Sequence, residues 1–364
     1  MRRGLGVCPV VDLRGNESGM DVLTLLIMAA FYLLFFASIA RYLRNRHPLE
    51  LSVVLVFTST AALFAISALN LLAPALSPYL SPLAVTMLVA QPALMLRLVG
   101  TIVPLPRWVS ALVIVGFLAA VIGYYATNRS TPAVLFLVGY FFVAESVAAA
   151  LLVAEGRRRL GFPRARLTVA GLASLLFGLS ILISGLASAA RGGGTADPAI
   201  TLISRLLALV AGLGYLAAFV PPRWLREIGY RSLAFDVVRT IVSRPTGTDE
   251  RVLWSGLADA AGQILGTSRV RIASAGDDPT TVLSTGASGE SPDTAWRAGD
   301  SGYSVRVPIN TEVGHVATLE ARLAGRPLFL EDDVALIDLL GSLTARAVER
   351  ERAMATLADR KSVV

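Results

Sequence analysis

The chain has 364 residues, of which 54% are hydrophobic and 16% charged, well below the roughly 25% charge of ordinary soluble domains. It carries 33 basic and 26 acidic residues, yet the arginines sit in short loops between oily segments, a membrane-topology pattern that argues against a nucleic-acid partner. Cys8 is the single cysteine and His47 and His315 are the two histidines, which excludes intramolecular disulfides, cysteine-built zinc sites and histidine-cluster catalysis.

Residues 1–19 read as an extracytoplasmic tail, with Met1 and Met20 both open as starting points. A helix needs about 20 apolar residues to cross the ~30 Å hydrocarbon core. Within 20–220, seven stretches have that length: 21–42, 51–73, 80–102, 108–127, 133–154, 167–190 and 198–220. Each must be helical, because lipid offers the backbone no partners. The first is too long for a cleavable leader, and no small-residue cleavage site precedes Arg41. The expected fold class is therefore a membrane α-helical bundle of seven transmembrane helices, followed by a cytoplasmic α/β domain with an antiparallel sheet.

The loops set the expected orientation. Arg41, Arg44 and Arg46 occupy the first, Arg97 and Arg107 the third, and "EGRRRLGFPRAR" the fifth, whereas the even-numbered loops carry at most one arginine each. Basic loops stay cytoplasmic. The N-terminus is thus expected outside and the segment after the seventh span inside, in a bacterial plasma membrane. A retinal Schiff base is excluded because no span contains a lysine; Lys361 is the only one in the chain.

Polar residues inside spans are costly and frequently functional. Gln91 stands beside Pro92 in the third span, Glu145 in the fifth and Arg205 in the seventh. At about 1.5 Å per residue, Gln91 and Glu145 lie near mid-membrane and Arg205 nearer the outside, within reach of a long arginine. Two readings stay open: a pocket opening outward for a small ligand, or a buried structural ion pair or hydrogen-bonded packing contact. Neither paired broken helices nor similarity between halves marks the chain as a transporter.

The border at Pro221, Pro222, Arg223, Trp224 and Arg226 combines helix-stopping prolines, a headgroup-level tryptophan and cytoplasmic arginines. Leu233, Val237 and Ile241 then recur every four residues, so 221–246 reads as a connecting amphipathic helix and a candidate membrane-exit coupler.

The next helix, "DERVLWSGLADAAGQIL", carries an apolar stripe of Val252, Leu253, Leu257, Ala260, Ala261, Ile264 and Leu265, and Gly266 ends it. "SRVRIAS", "TTVLSTG", "YSVRVPI" and "GHVATLEARL" alternate as four strands. A long helix follows, with Glu331, Asp332 and Asp333 in its dipole-favoured first turn. Ile337, Leu340, Thr344 and Ala347 form a short heptad-like row. That row suits either a parallel dimer or the packed last helix of the domain.

The stretches "LADAAGQILGTSRVRI", "YSVRVPI" and "GHVATLEARLAGRPLFLEDDVALIDLLGSLTARAVER" resemble the GAF domains over about 250–352, within an assigned domain of 247–352. The resemblance implies a sheet flanked by helices, and for a short-looped member a dimerisation and relay module. No cofactor is assigned. A thioether-linked bilin is excluded because the domain lacks cysteine, and His315 reads as an edge residue rather than a haem ligand. The seven spans, "PPRWLR" and this domain together resemble the input half of bacterial membrane sensor histidine kinases; similar halves precede diguanylate cyclases. No phosphoacceptor-histidine helix, ATP-lid glycine motif or "GGDEF"-like stretch occurs, so the chain by itself is not expected to be an enzyme. Residues 353–364 read as the start of a signalling helix that leads to an output domain. The expected partners are membrane lipid, a second copy of the chain and that output. The competing expectation is a transporter or channel-like protein with a regulatory cytoplasmic domain.

Overall fold

A computed structural model describes residues 22–46, 48–103, 105–127, 130–158, 161–190, 197–221, 250–267, 269–274, 281–285, 303–311, 314–323 and 330–362. Two compact units divide it: Met1–Glu155 with Arg166–Pro221, and Pro222–Val364 with Gly156–Ala165.

The membrane unit consists of α1 (Val22–Asn45), α2 (Pro48–Leu72), α3 (Ser77–Ile102), α4 (Arg107–Ala126), α5 (Thr131–Arg158), α6 (Gly161–Ala190) and α7 (Pro198–Phe219). All seven are long and apolar enough to cross a membrane, at the positions read from hydropathy. Several run further than their oily cores. Arg97, counted with the third loop although it falls within the 80–102 span, lies inside α3, which ends at Ile102. Pro82 and Pro92 also sit within α3 without ending it; the Pro82 carbonyl accepts from the Tyr125 hydroxyl of α4 at 2.7 Å.

Short loops make chain neighbours antiparallel, and side chains join them. Tyr140 of α5 donates to the Val113 carbonyl of α4 at 3.1 Å. Ser180 of α6 donates to the Ser204 carbonyl of α7 at 2.8 Å, and Ser184 to the Ser204 hydroxyl at 2.9 Å. Between α5 and α6 the contact is through glycine. Gly171, Gly178 and Gly185 recur every seven residues and lie against Ala149, Glu145 and Val138 of α5. Lipid gives helices no hydrophobic reason to associate, so close backbone approach and interhelical hydrogen bonds must do it. At the centre, Phe31, Phe57, Phe177, Tyr215 and Phe219 form an aromatic cluster from four helices.

The seventh span ends one residue before expected. Val220 leaves helical geometry (φ −130°, ψ 57°), because the ring of Pro221 disfavours the α conformation in the residue before it. Two arginines, Arg41 of α1 and Arg166 of α6, meet the freed carbonyls. Arg41 donates to the Phe219 carbonyl at 2.9 Å, and Arg166 donates to Ala218 through Nε and Nη2 at 2.9 and 2.7 Å. These two arginines thus cap the last helix of the membrane unit. Replacing Arg166 with Ala is expected to cost about 1.5–3 kcal/mol, since it strips a buried carbonyl of charged donors. Thermal unfolding of the detergent-solubilised chain measures this, with exposed Arg157→Ala expected within ~0.5 kcal/mol of wild type. Equal losses in the two variants refute the capping role.

The second unit has the expected order: α8 (Glu250–Leu265), β1 (Val270–Ser274), β2 (Thr281–Thr285), β3 (Tyr303–Thr311), β4 (Gly314–Leu323) and α9 (Leu330–Ser362). The four strands form one antiparallel sheet ordered β2-β1-β4-β3. Side chains alternate across it. Val305, Val307 and Ile309 of β3 and Ala317, Leu319 and Ala321 of β4 face a core shared with α8 and α9. On the other face Arg306 pairs with Glu320 at 2.7 Å, directly across the ladder. Pro308, which cannot donate to a ladder, is tolerated because β3 is an edge strand. Gly266 closes α8 at φ 69°, a left-handed stop that glycine adopts without strain.

One side-chain expectation is corrected, and one that the sequence left open is decided. Val252 is 37% exposed, and Trp254, omitted from the stripe, is buried in its place. The heptad-like row of α9 is not a free seam: Ile337, Leu340, Thr344 and Ala347 are buried, and the three apolar ones belong to the unit's own core. Helix period alone cannot tell an intramolecular partner from a second copy. Leu339, Leu343 and Leu357 are the exposed leucines of this helix.

Candidate functional site

The polar residues of the spans do not all converge. Glu145 is completely buried at the middle of α5, and Gln91 of α3 is 2% exposed. Gln91 and Ser174 of α6 stand beside the Glu145 carboxylate, and Tyr215 of α7 is in the same group. The Tyr215 hydroxyl donates to Ser174 Oγ at 3.0 Å. Even so, neither Glu145 oxygen nor Gln91 Oε1 has a hydrogen bond of acceptable geometry. Four helices therefore enclose a knot of oxygen atoms, three of them unsatisfied.

Packing explains how a carboxylate reaches this position. A Cβ on Gly178 would lie 3.1 Å from Glu145 Cβ, so glycine in α6 gives the glutamate stem room that a larger residue would crowd. Phe141, one turn earlier on α5, stacks on Phe177 and seals the same face.

Arg205 does not join them. It lies ten residues before Tyr215, about 15 Å along α7, and lines a different cavity with Thr24, Phe64, Ser180, Ser184 and Ser204. That cavity holds about 70 Å³, several times the roughly 10–15 Å³ that one water needs. The expected Glu145–Arg205 bridge is thus not formed; Gln91 and Glu145 meet, and Arg205 serves a separate hollow. Sequence reading missed Ser174 and Tyr215. A serine and a tyrosine in apolar helices are common enough to carry no signal alone. The signal that existed was the seven-residue glycine repeat of α6, which marks the face turned toward Glu145.

Of the membrane-exit residues, Pro221 is buried just after α7, whereas Pro222, Arg223, Trp224 and Arg226 lie outside the described residues, as does the amphipathic row at Leu233, Val237 and Ile241. In the second unit, His315 is exposed, with Nδ1 at 3.1 Å from Asn310 Oδ1 and Nε2 at 3.0 Å from Thr318 Oγ1. Both ring nitrogens are engaged by side chains, and the residue stands at the exposed start of β4, an interior strand of the sheet. Among the described residues no group of three or more His, Cys, Asp or Glu side chains is placed to hold a metal ion. No protein-family model matches the chain, and no curated protein matches it.

Proposed function

We propose that the chain is a membrane-bound sensory input module: a seven-helix sensor that passes its state to a GAF-like relay unit, in the manner of the input half of a histidine kinase or diguanylate cyclase. The observation that carries this reading is α9. Its residues up to Val348 pack into the α/β unit, and the helix then continues to Ser362. A helix that is anchored at one end and runs beyond its own core is suited to hand motion to whatever follows. Arg352 ties the departing segment to Glu250 of α8, and Glu349 accepts from Thr311 of β3 at 2.8 Å. A shift in the sheet would therefore reach the helix through side chains as well as through the chain.

In this reading the protein spans a bacterial plasma membrane, with its N-terminus outside and the α/β unit in the cytoplasm. It has no catalytic role of its own and works as a homodimer in which exposed Leu357 of α9 faces its counterpart. The test is oxidative cross-linking in membranes of Leu357→Cys, with Cys8→Ser removing the native thiol. A disulfide-linked dimer whose yield changes with Gly178→Ala in the membrane unit supports the relay. A monomer under oxidation overturns it, and solute flux through proteoliposomes containing the chain would assign a transporter with a regulatory domain instead.

A further inference from the structure

The unsatisfied oxygens in the membrane unit have a chemistry of their own. Glu145 Oε1, Glu145 Oε2 and Gln91 Oε1 are buried acceptors without partners, and the hydroxyls of Ser174 and Tyr215 border them. Among the described residues, the groups beside Glu145 are an amide, a hydroxyl and the phenols of Tyr140 and Tyr215, none of them basic. A buried carboxylate in a low-dielectric interior must be paired, coordinate a cation or take up a proton. The orphans are all acceptors, so what they lack is a donor or a cation and not another acceptor.

The donor set narrows the occupant. Carboxylate, amide and hydroxyl oxygens are hard donors, which suit hard cations rather than thiolate- or imidazole-seeking metals. One carboxylate balances one positive charge, whereas a divalent ion would leave a net charge among apolar helices. Space narrows it further. Gly178 is packed against the glutamate stem, and Phe31 and Phe57 meet Tyr215 edge-on, so the occupant is small and stripped of most of its water. The Tyr215 proton points to Ser174, so the phenol oxygen itself can serve as an acceptor. We propose that Glu145, Gln91, Ser174 and Tyr215 form a binding site for a sodium ion in the core of the membrane unit. The site goes beyond the sensory reading and stands whether or not the chain signals.

The experiment compares thermal unfolding of the full chain in sodium, potassium and choline chloride at equal ionic strength. A saturable, sodium-specific rise of about 2–4 °C is expected. Glu145→Gln, which keeps the shape and removes the charge, should abolish the rise, and Ser174→Ala should require about tenfold more sodium. Radioactive sodium binding to the wild-type chain, displaced by cold sodium and not by choline, answers the same question should a variant fail to fold. Equal midpoints in all three salts overturn the site, as does a sodium response that survives in Glu145→Gln or an absence of saturable binding. A midpoint that moves with pH but not with sodium assigns a proton shared by Glu145 and Gln91, and likewise overturns it.

Discussion

Gly171→Ala is expected to destabilise the membrane unit by about 1–3 kcal/mol, and Gly171→Leu by more, because overpacking a rigid contact forces the backbone apart. An added Cβ would lie 2.8 Å from the Ala149 carbonyl oxygen and equally close to a Val153 methyl. A side chain can turn away, but a backbone oxygen inside a helix cannot. Gly139 and Gly123 are the controls, since an added Cβ meets nothing within 4 Å at either. There the same substitution should be neutral or stabilising by about 0.5–1 kcal/mol, the ordinary gain of alanine over glycine in a helix. Thermal midpoints of the purified chain in detergent decide the matter. A Gly171→Ala midpoint at or above that of Gly139→Ala would remove the α5–α6 glycine contact as a source of stability. The consequence extends to the polar site, because the same repeat places Gly178 against Glu145.

Trp254→Ala should cost the α/β unit about 3–5 kcal/mol, as removal of a large buried aromatic generally does. Trp254 is 1% exposed, and its Nε1 donates to Glu250 Oε1 at 3.0 Å. Glu250 in turn receives Arg352 of α9, so the tryptophan both fills the core and positions the carboxylate that holds the departing helix. Trp254→Phe should lose less, since it retains most of the apolar volume but not the hydrogen bond. Hydrogen exchange in the full chain separates these effects by region. In Trp254→Ala, amides of β1, β4 and the first half of α9 should lose protection together; protection equal to wild type would show that the core does not depend on this residue.

Much of the architecture was legible before any coordinates. The seven spans follow from hydropathy, because a run of apolar residues long enough to cross lipid has one viable backbone state. The second unit's element order was equally plain, since strands such as "GHVATLEARL" alternate with period two and the flanking segments do not. Val252 and Trp254 show where this reading fails. Both are apolar and lie two residues apart in α8, and which of them faces the core depends on the rotation of the helix against the sheet. The α9 row stayed open for a related reason: Ile337 and Leu340 announce a buried face without naming the surface that buries it.

The polar site divides along the same line. Sequence alone determined that Gln91, Glu145 and Arg205 lie inside membrane-spanning segments, that lipid makes them costly, and that two of them share a depth. Depth follows from counting residues along one axis. Only the tertiary structure decided that Glu145 meets Gln91, Ser174 and Tyr215, and that Arg205 lines a separate hollow, because azimuth around each helix is set by how neighbours pack. Glycines in α6 and aromatic rings on α1, α2 and α7 choose that rotation through contacts between residues far apart in the chain, which no local period encodes.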